Sequence, residues 1–148
     1  MASLLAVIYK YRDSRDRKKL IFGGLLMTSH ATNPSHNSMQ QCIQNCLDCH
    51  RICLETVAHC LQMGGKHADP AHIRLLLDCA EICQTAANFM LRGSKLHSLV
   101  CNVCAEICRR CAESCEKFGD DDKMRMCAEM CRKCADSCHK MGQMAGAR

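Results

Sequence analysis

All sixteen cysteines of this 148-residue chain lie between Cys42 and Cys138, and their spacing is regular. A first run holds Cys42, Cys46, Cys49, Cys53 and Cys60, and a second holds Cys79 and Cys83. Cys101, Cys104, Cys108, Cys111 and Cys115 follow, and then Cys127, Cys131, Cys134 and Cys138. The gaps are mostly three and four residues in alternation, the a/d pattern of a heptad, which places each run on one narrow helical stripe. The second run keeps this register with fewer thiols, through His72, Leu76, Cys79, Cys83, Ala86 and Met90.

Three fillings compete for such a stripe. Thiols acting as small apolar side chains suit one or two positions, but sixteen of them pack poorly compared with leucine. Disulfides between facing helices are a second filling, although cysteines three or four apart on one helix have poorly directed Cβ vectors. Metal binding is the third, and ligand softness narrows it. Structural zinc takes a closed tetrahedron, usually on knuckles and loops, whereas CxxC pairs such as Cys46–Cys49 and Cys131–Cys134 sit inside uninterrupted helical pattern. No cysteine precedes a proline, as the iron–sulfur signature requires. Cu(I) accepts thiolate and thioether ligands, and two sulfurs one helical turn apart can hold it between them. If each thiolate bridges two ions and each ion takes two sulfurs, the column is neutral at roughly one copper per cysteine. That describes a store of multiple Cu(I) ions. Zinc or cadmium sequestration stays open on softness alone. A thiol redox protein is the reading from another class, and it needs one exposed CxxC of low pKa at a helix start.

The elements that position the thiols follow from punctuation. Ser38 with Gln41 fits a capping box, Asp69-Pro70 places a cap before proline, and Ser94 and Asp120-Asp121-Asp122 open two further segments. Gly64, Gly93, Gly119 and Gly142 close them. Helices are expected near 39–63, 70–92, 95–118 and 122–141. Their short connections predict an all-α, antiparallel, up-down-up-down four-helix bundle with a cysteine-lined core. Only five aromatic residues are present, so leucine, isoleucine, alanine, methionine and cysteine must build the interior. Arg109, Arg110, Arg132 and Lys133 fall on the outer face, where their field favours thiolate modestly.

Residues 1–37 hold no cysteine and are read as an extension, disordered or weakly structured, with the bundle domain over 38–148. Arg15 to Lys19 and the apolar Leu20–Met27 faintly imitate a secretion signal without twin arginines, and a start at Met27 is an equal reading. The formal charge of +5 comes from 20 basic and 15 acidic residues with no block of like sign, which argues against nucleic acid. No apolar run reaches membrane-spanning length.

The repeats Cys42-x-x-x-Cys46-x-x-Cys49-x-x-x-Cys53, Cys79-Ala80-Glu81-Ile82-Cys83, Cys101-Asn102-Val103-Cys104-Ala105-Glu106-Ile107-Cys108 and Cys127-Ala128-Glu129-Met130-Cys131-Arg132-Lys133-Cys134 resemble those of the cytosolic copper storage proteins, over about residues 38–144. The resemblance implies Cu(I) stored along the bundle axis with each matched cysteine a ligand. It also implies a homotetramer, a bacterial source, a cytoplasmic location and no catalysed reaction. The copper donor or chaperone is not legible. Beyond the cysteines, the heptads bring Met63, His72, Phe118 and Met124 to one end beside Cys60 and Cys115, and Met39, Met90, His97 and Met141 to the other. His72, Met63 and Met124 are therefore added to the expected ligands. The Cys60/His72/Met124 end is the expected entrance, because similar proteins carry histidines there. His50, His59 and His139 fall off the stripe and are expected at the surface.

Overall fold

A computed structural model describes residues 34–144. Four helices carry the chain: α1 Pro34–Met63, α2 Pro70–Leu91, α3 His97–Cys115 and α4 Asp122–Gln143, with a 3-10 turn at Glu116–Phe118 after α3. No strand occurs among the described residues. Helix α1 packs on α2 and α4, and α3 packs on the same two, so the four axes form a square of sequential neighbours.

The thiols themselves report the direction of packing. Cys42 lies against Cys138, Cys46 against Cys134, Cys49 against Cys131 and Cys53 against Cys127, so each step forward along α1 is matched by an equal step back along α4. Cys79 with Cys108 and Cys83 with Cys104 repeat the pattern between α2 and α3. The helices are antiparallel, as the short connections require.

Small residues let the helices approach. Ala80, Ala86, Ala87, Ala105, Ala112 and Ala128 are buried beside the cysteines, so the interior is narrow and sulfur-rich. At the rim a Cβ on Gly142 would overlap Asn102 Oδ1, so glycine there admits the α3 side chain against α4.

Two of the expected caps form. Asp69 Oδ1 accepts from Ala71 N and His72 N, and Asp121 Oδ1 accepts from Lys123 N and Met124 N. Gly93, at φ 66°, ends α2 with Gly93 N donating to Met90 O and Ser94 N to Phe89 O, the paired bonds of a Schellman closure. Other expectations change. Helix α1 begins at Pro34, ahead of the expected start, because proline at a first helical position is preorganised; Ser38 lies inside the helix. The boundary expected after Asn37 therefore falls within α1. Ser94 Oγ accepts from Leu96 N in a turn, and α3 starts at His97. Gly142 lies within α4 and closes nothing. The expected extension before residue 34 lies outside the described residues.

Candidate metal centre

Every cysteine is at most 1% exposed, and all are free thiols. The column from Cys42 to Cys60 on α1 is about 27 Å long at the helical rise. Along it, sulfurs from different helices lie 3.4–4.0 Å apart, at nonbonded contact.

Those contacts join into overlapping sets whose sulfurs all lie within 4.8 Å of one another. Cys42, Cys101 and Cys138 form one, and Cys138 also belongs with Cys46, Cys104 and Cys134. Cys134 belongs again with Cys49, Cys83 and Cys108, and Cys49 with Cys53, Cys79 and Cys131. Cys53 and Cys131 then join Cys111 and Cys127. These five sets hold fourteen of the sixteen cysteines, and each shares a member with the next. Shared sulfurs are what bridging thiolates need, whereas isolated tetrahedral zinc sites each use four of their own. An ion in a straight line between two sulfurs, with metal–sulfur bonds of about 2.3 Å, holds them about 4.6 Å apart.

Protons are held unevenly in the column. Hydrogen bonding with Cys104 and Cys108, reinforced by burial, pushes the Cys134 thiol up, while the thiols of Cys108 and Cys131 push Cys49 down. Each bound Cu(I) must displace protons from such thiols, so the metal's charge replaces theirs.

At the end formed by the α1–α2 and α3–α4 connections, the donors change. Cys60 Sγ lies 3.7 Å from His72 Nε2 and 3.6 Å from Met124 Sδ. Burial pushes the Cys60 thiol up to about 11, with Asp121 and Cys127 adding to it. His72 is buried and its imidazole is held below the usual histidine range, chiefly by that burial. Its Nδ1 is 2.8 Å from Ser114 Oγ; with that nitrogen donating, Nε2 turns its lone pair toward Cys60. A groove of about 810 Å³, walled by His72, Ser114, Phe118, Lys66 and Lys117 among others, reaches this end at His72. Three different neutral or protonated donors thus stand between solvent and the thiols.

The opposite end is closed by sulfur. Met90 and Met141 are buried, Met39 packs against the cluster, and His97 Nδ1 donates to Ser94 O.

Not every expected ligand joins. Met63, the last residue of α1, is 57% exposed and stands outside the buried cluster, because the helix ends just as its stripe leaves the bundle. His50 and His59 are half-buried, where surface positions were expected. His50 Nδ1 donates to Ala80 O, and His59 Nε2 lies 2.7 Å from Asp121 Oδ2. Ser114 and His67 escaped notice in the sequence, since neither lies on the sulfur stripe. The basic outer face is also less polarising than expected, because Arg109 and Arg110 pair with Glu106, and Arg132 pairs bidentately with Glu116.

Known proteins carry the same architecture. A protein of Nitrosospira multiformis, Nmul_A1745, is 50% identical and superposes with a TM-score of 0.69, covering 73% of this chain and 97% of its own. The Cu(I)-bound copper storage protein BsCsp3 of Bacillus subtilis is 34% identical with a TM-score of 0.67, covering 71% of this chain and 98% of its own. A cytosolic copper storage protein from Streptomyces lividans, solved with five coppers, is 28% identical with a TM-score of 0.63, over 72% of this chain and 93% of its own. The family model described as copper storage protein matches residues 35–143, the same span that builds the thiol column. With its cysteines buried, free and shared between neighbouring sets, the chain belongs to the copper storage protein family.

Proposed function

We propose that this protein takes Cu(I) in at the Cys60/His72/Met124 end and stores many ions along the cysteine column, roughly one per thiol at charge neutrality. The observation that carries this is the overlap of the thiol sets, in which single sulfurs serve two neighbours. The sixteen cysteines, His72 and Met124 are the ligands in this reading. Soft thiolates hold Cu(I) most tightly, and the imidazole and thioether at the mouth are weaker neutral donors that pass it inward. Binding and release complete the cycle, and no substrate is transformed.

The same reading places the protein in the cytoplasm of a bacterium. The Streptomyces lividans relative is a cytosolic protein, and among the described residues no helix is long and apolar enough to cross a membrane. A homotetramer is part of it as well. Leu54, Leu77, Leu96 and Leu99 stand exposed off the sulfur stripe, apolar surface for self-association.

The test is an anaerobic competition titration of the reduced chain with Cu(I), reading ions bound per chain. Uptake beyond about four ions supports storage, since four is the most that sixteen thiols can hold in separate tetrahedra that share no sulfur. Saturation at or below that number overturns it.

A further inference from the structure

Just outside the Cys60 triad lies a second set of donors that the thiol column does not use. Asp121, the residue that caps α4, spends Oδ1 on the backbone N–H groups of Lys123 and Met124. Its Oδ2 faces two imidazoles: His59 Nε2 from α1 at 2.7 Å and His67 Nε2 from the α1–α2 connection at 3.2 Å. The three side chains are only 16–27% exposed, although they sit at an end of the bundle. The two rings are edge-on, with centroids 6.0 Å apart, so their Nε2 atoms converge without stacking. His67 is further held against Phe118, whose other contact is His72 of the inner triad.

A helix cap needs one carboxylate oxygen, so the cap does not account for the second. Nor does an ordinary ion pair require two imidazoles from separate elements to meet on one atom. Two imidazole nitrogens and one carboxylate oxygen form a borderline donor set, suited to divalent first-row cations and ill suited to Cu(I), which favours sulfur. The geometry is close to what such a cation needs. With metal–nitrogen and metal–oxygen bonds of about 2.1 Å, the donor atoms stand about 3.0 Å apart at a right angle and about 3.4 Å apart at the tetrahedral angle. The two separations that meet on Asp121 Oδ2, 2.7 and 3.2 Å, reach that range with shifts of a few tenths of an ångström.

We infer that His59, His67 and Asp121 form a separate site for one divalent cation of the Zn²⁺ or Co²⁺ class, set over the mouth of the thiol column and chemically distinct from it. Each neutral imidazole would carry its proton on Nδ1 and give its Nε2 lone pair to the ion, while Asp121 keeps its cap through Oδ1. The site joins α1, the α1–α2 connection and the start of α4.

Co²⁺ is the probe, because its spectrum separates sulfur from nitrogen and oxygen ligation. It is titrated anaerobically into the full chain already saturated with Cu(I), so that the thiols are occupied. Copper content is measured before Co²⁺ is added, so a failure of Cu(I) storage and a failure of this site are read separately. The expected result is one equivalent of Co²⁺ with d–d bands and without thiolate-to-cobalt charge transfer. Affinity should fall by at least about tenfold in H67Q and in D121N, the lower end for loss of a metal-site partner. Asparagine can still cap α4, and far-ultraviolet circular dichroism of both variants checks that the bundle persists. Absence of a saturable d–d spectrum, ligation by sulfur, or equal affinity in the wild type and both folded variants would each overturn the site.

Discussion

His72 and Met63 stand toward the same end of the bundle but differ in burial. His72 is buried with Nε2 facing Cys60, whereas Met63 projects from the end of α1. H72A is therefore expected to slow Cu(I) uptake several-fold in stopped-flow mixing while leaving capacity within one ion of the wild type. M63A should change neither rate nor capacity; a slowed M63A would return Met63 to the donors at this mouth. Asp121 supplies a second prediction at this scale. Hydrogen bonding from His59, with the backbone N–H groups of Met124 and Lys123, lowers its carboxyl from the ordinary 3.8 to about 2. A depressed carboxylate stabilises the fold above its unfolded value, and that contribution is lost as pH falls through the folded value. Metal-free protein should thus lose stability between about pH 4 and about pH 2, and D121N should show a shallower loss over that window in urea melts taken at each pH. Equal slopes for the two proteins would remove Asp121 from the account.

The helices set where these residues stand, and their ends were legible to different degrees. Asp69 and Asp121 cap as their sequence context implies, because aspartate before a helical run satisfies backbone donors locally. D69A should lower the stability of the metal-free chain by about 1 kcal/mol in urea unfolding, with Cu(I) capacity unchanged. Changed capacity would mean that the start of α2 does more than hold His72 in register. Local signals misled at Ser38 and Ser94: Pro34 opens α1 earlier, and Ser94 turns the chain before α3 begins. The cysteine stripe was legible in full, since a heptad period fixes one face however the ends fray. The His59–Asp121–His67 cluster was not legible. It depends on two connections folding over the same end of an antiparallel bundle, and residues 59, 67 and 121 follow no common period.

For the whole molecule, burial of sixteen thiols in a bundle with few aromatic residues means that metal supplies part of what a hydrophobic core ordinarily supplies. We propose that Cu(I) binds a helical framework already in place, in contrast to small metal domains that fold on their ion. Self-association belongs to this scale too. Leu96, Leu99 and Val103 present apolar side chains along one side of α3, with Leu99 63% exposed. Sedimentation at micromolar concentration should give a tetramer, and a monomer alone would contradict that reading.

The central claim is a preformed store, and it is tested most directly by following metal stoichiometry and helicity together. Reduced, metal-free protein is titrated anaerobically with Cu(I) against a chromophoric chelator, and circular dichroism is recorded at each addition. The account predicts a tight endpoint well above four ions per chain, approaching one per cysteine, with helicity constant throughout. Saturation at four or fewer, helicity that appears only with metal, or Zn²⁺ held more tightly than Cu(I) would contradict it.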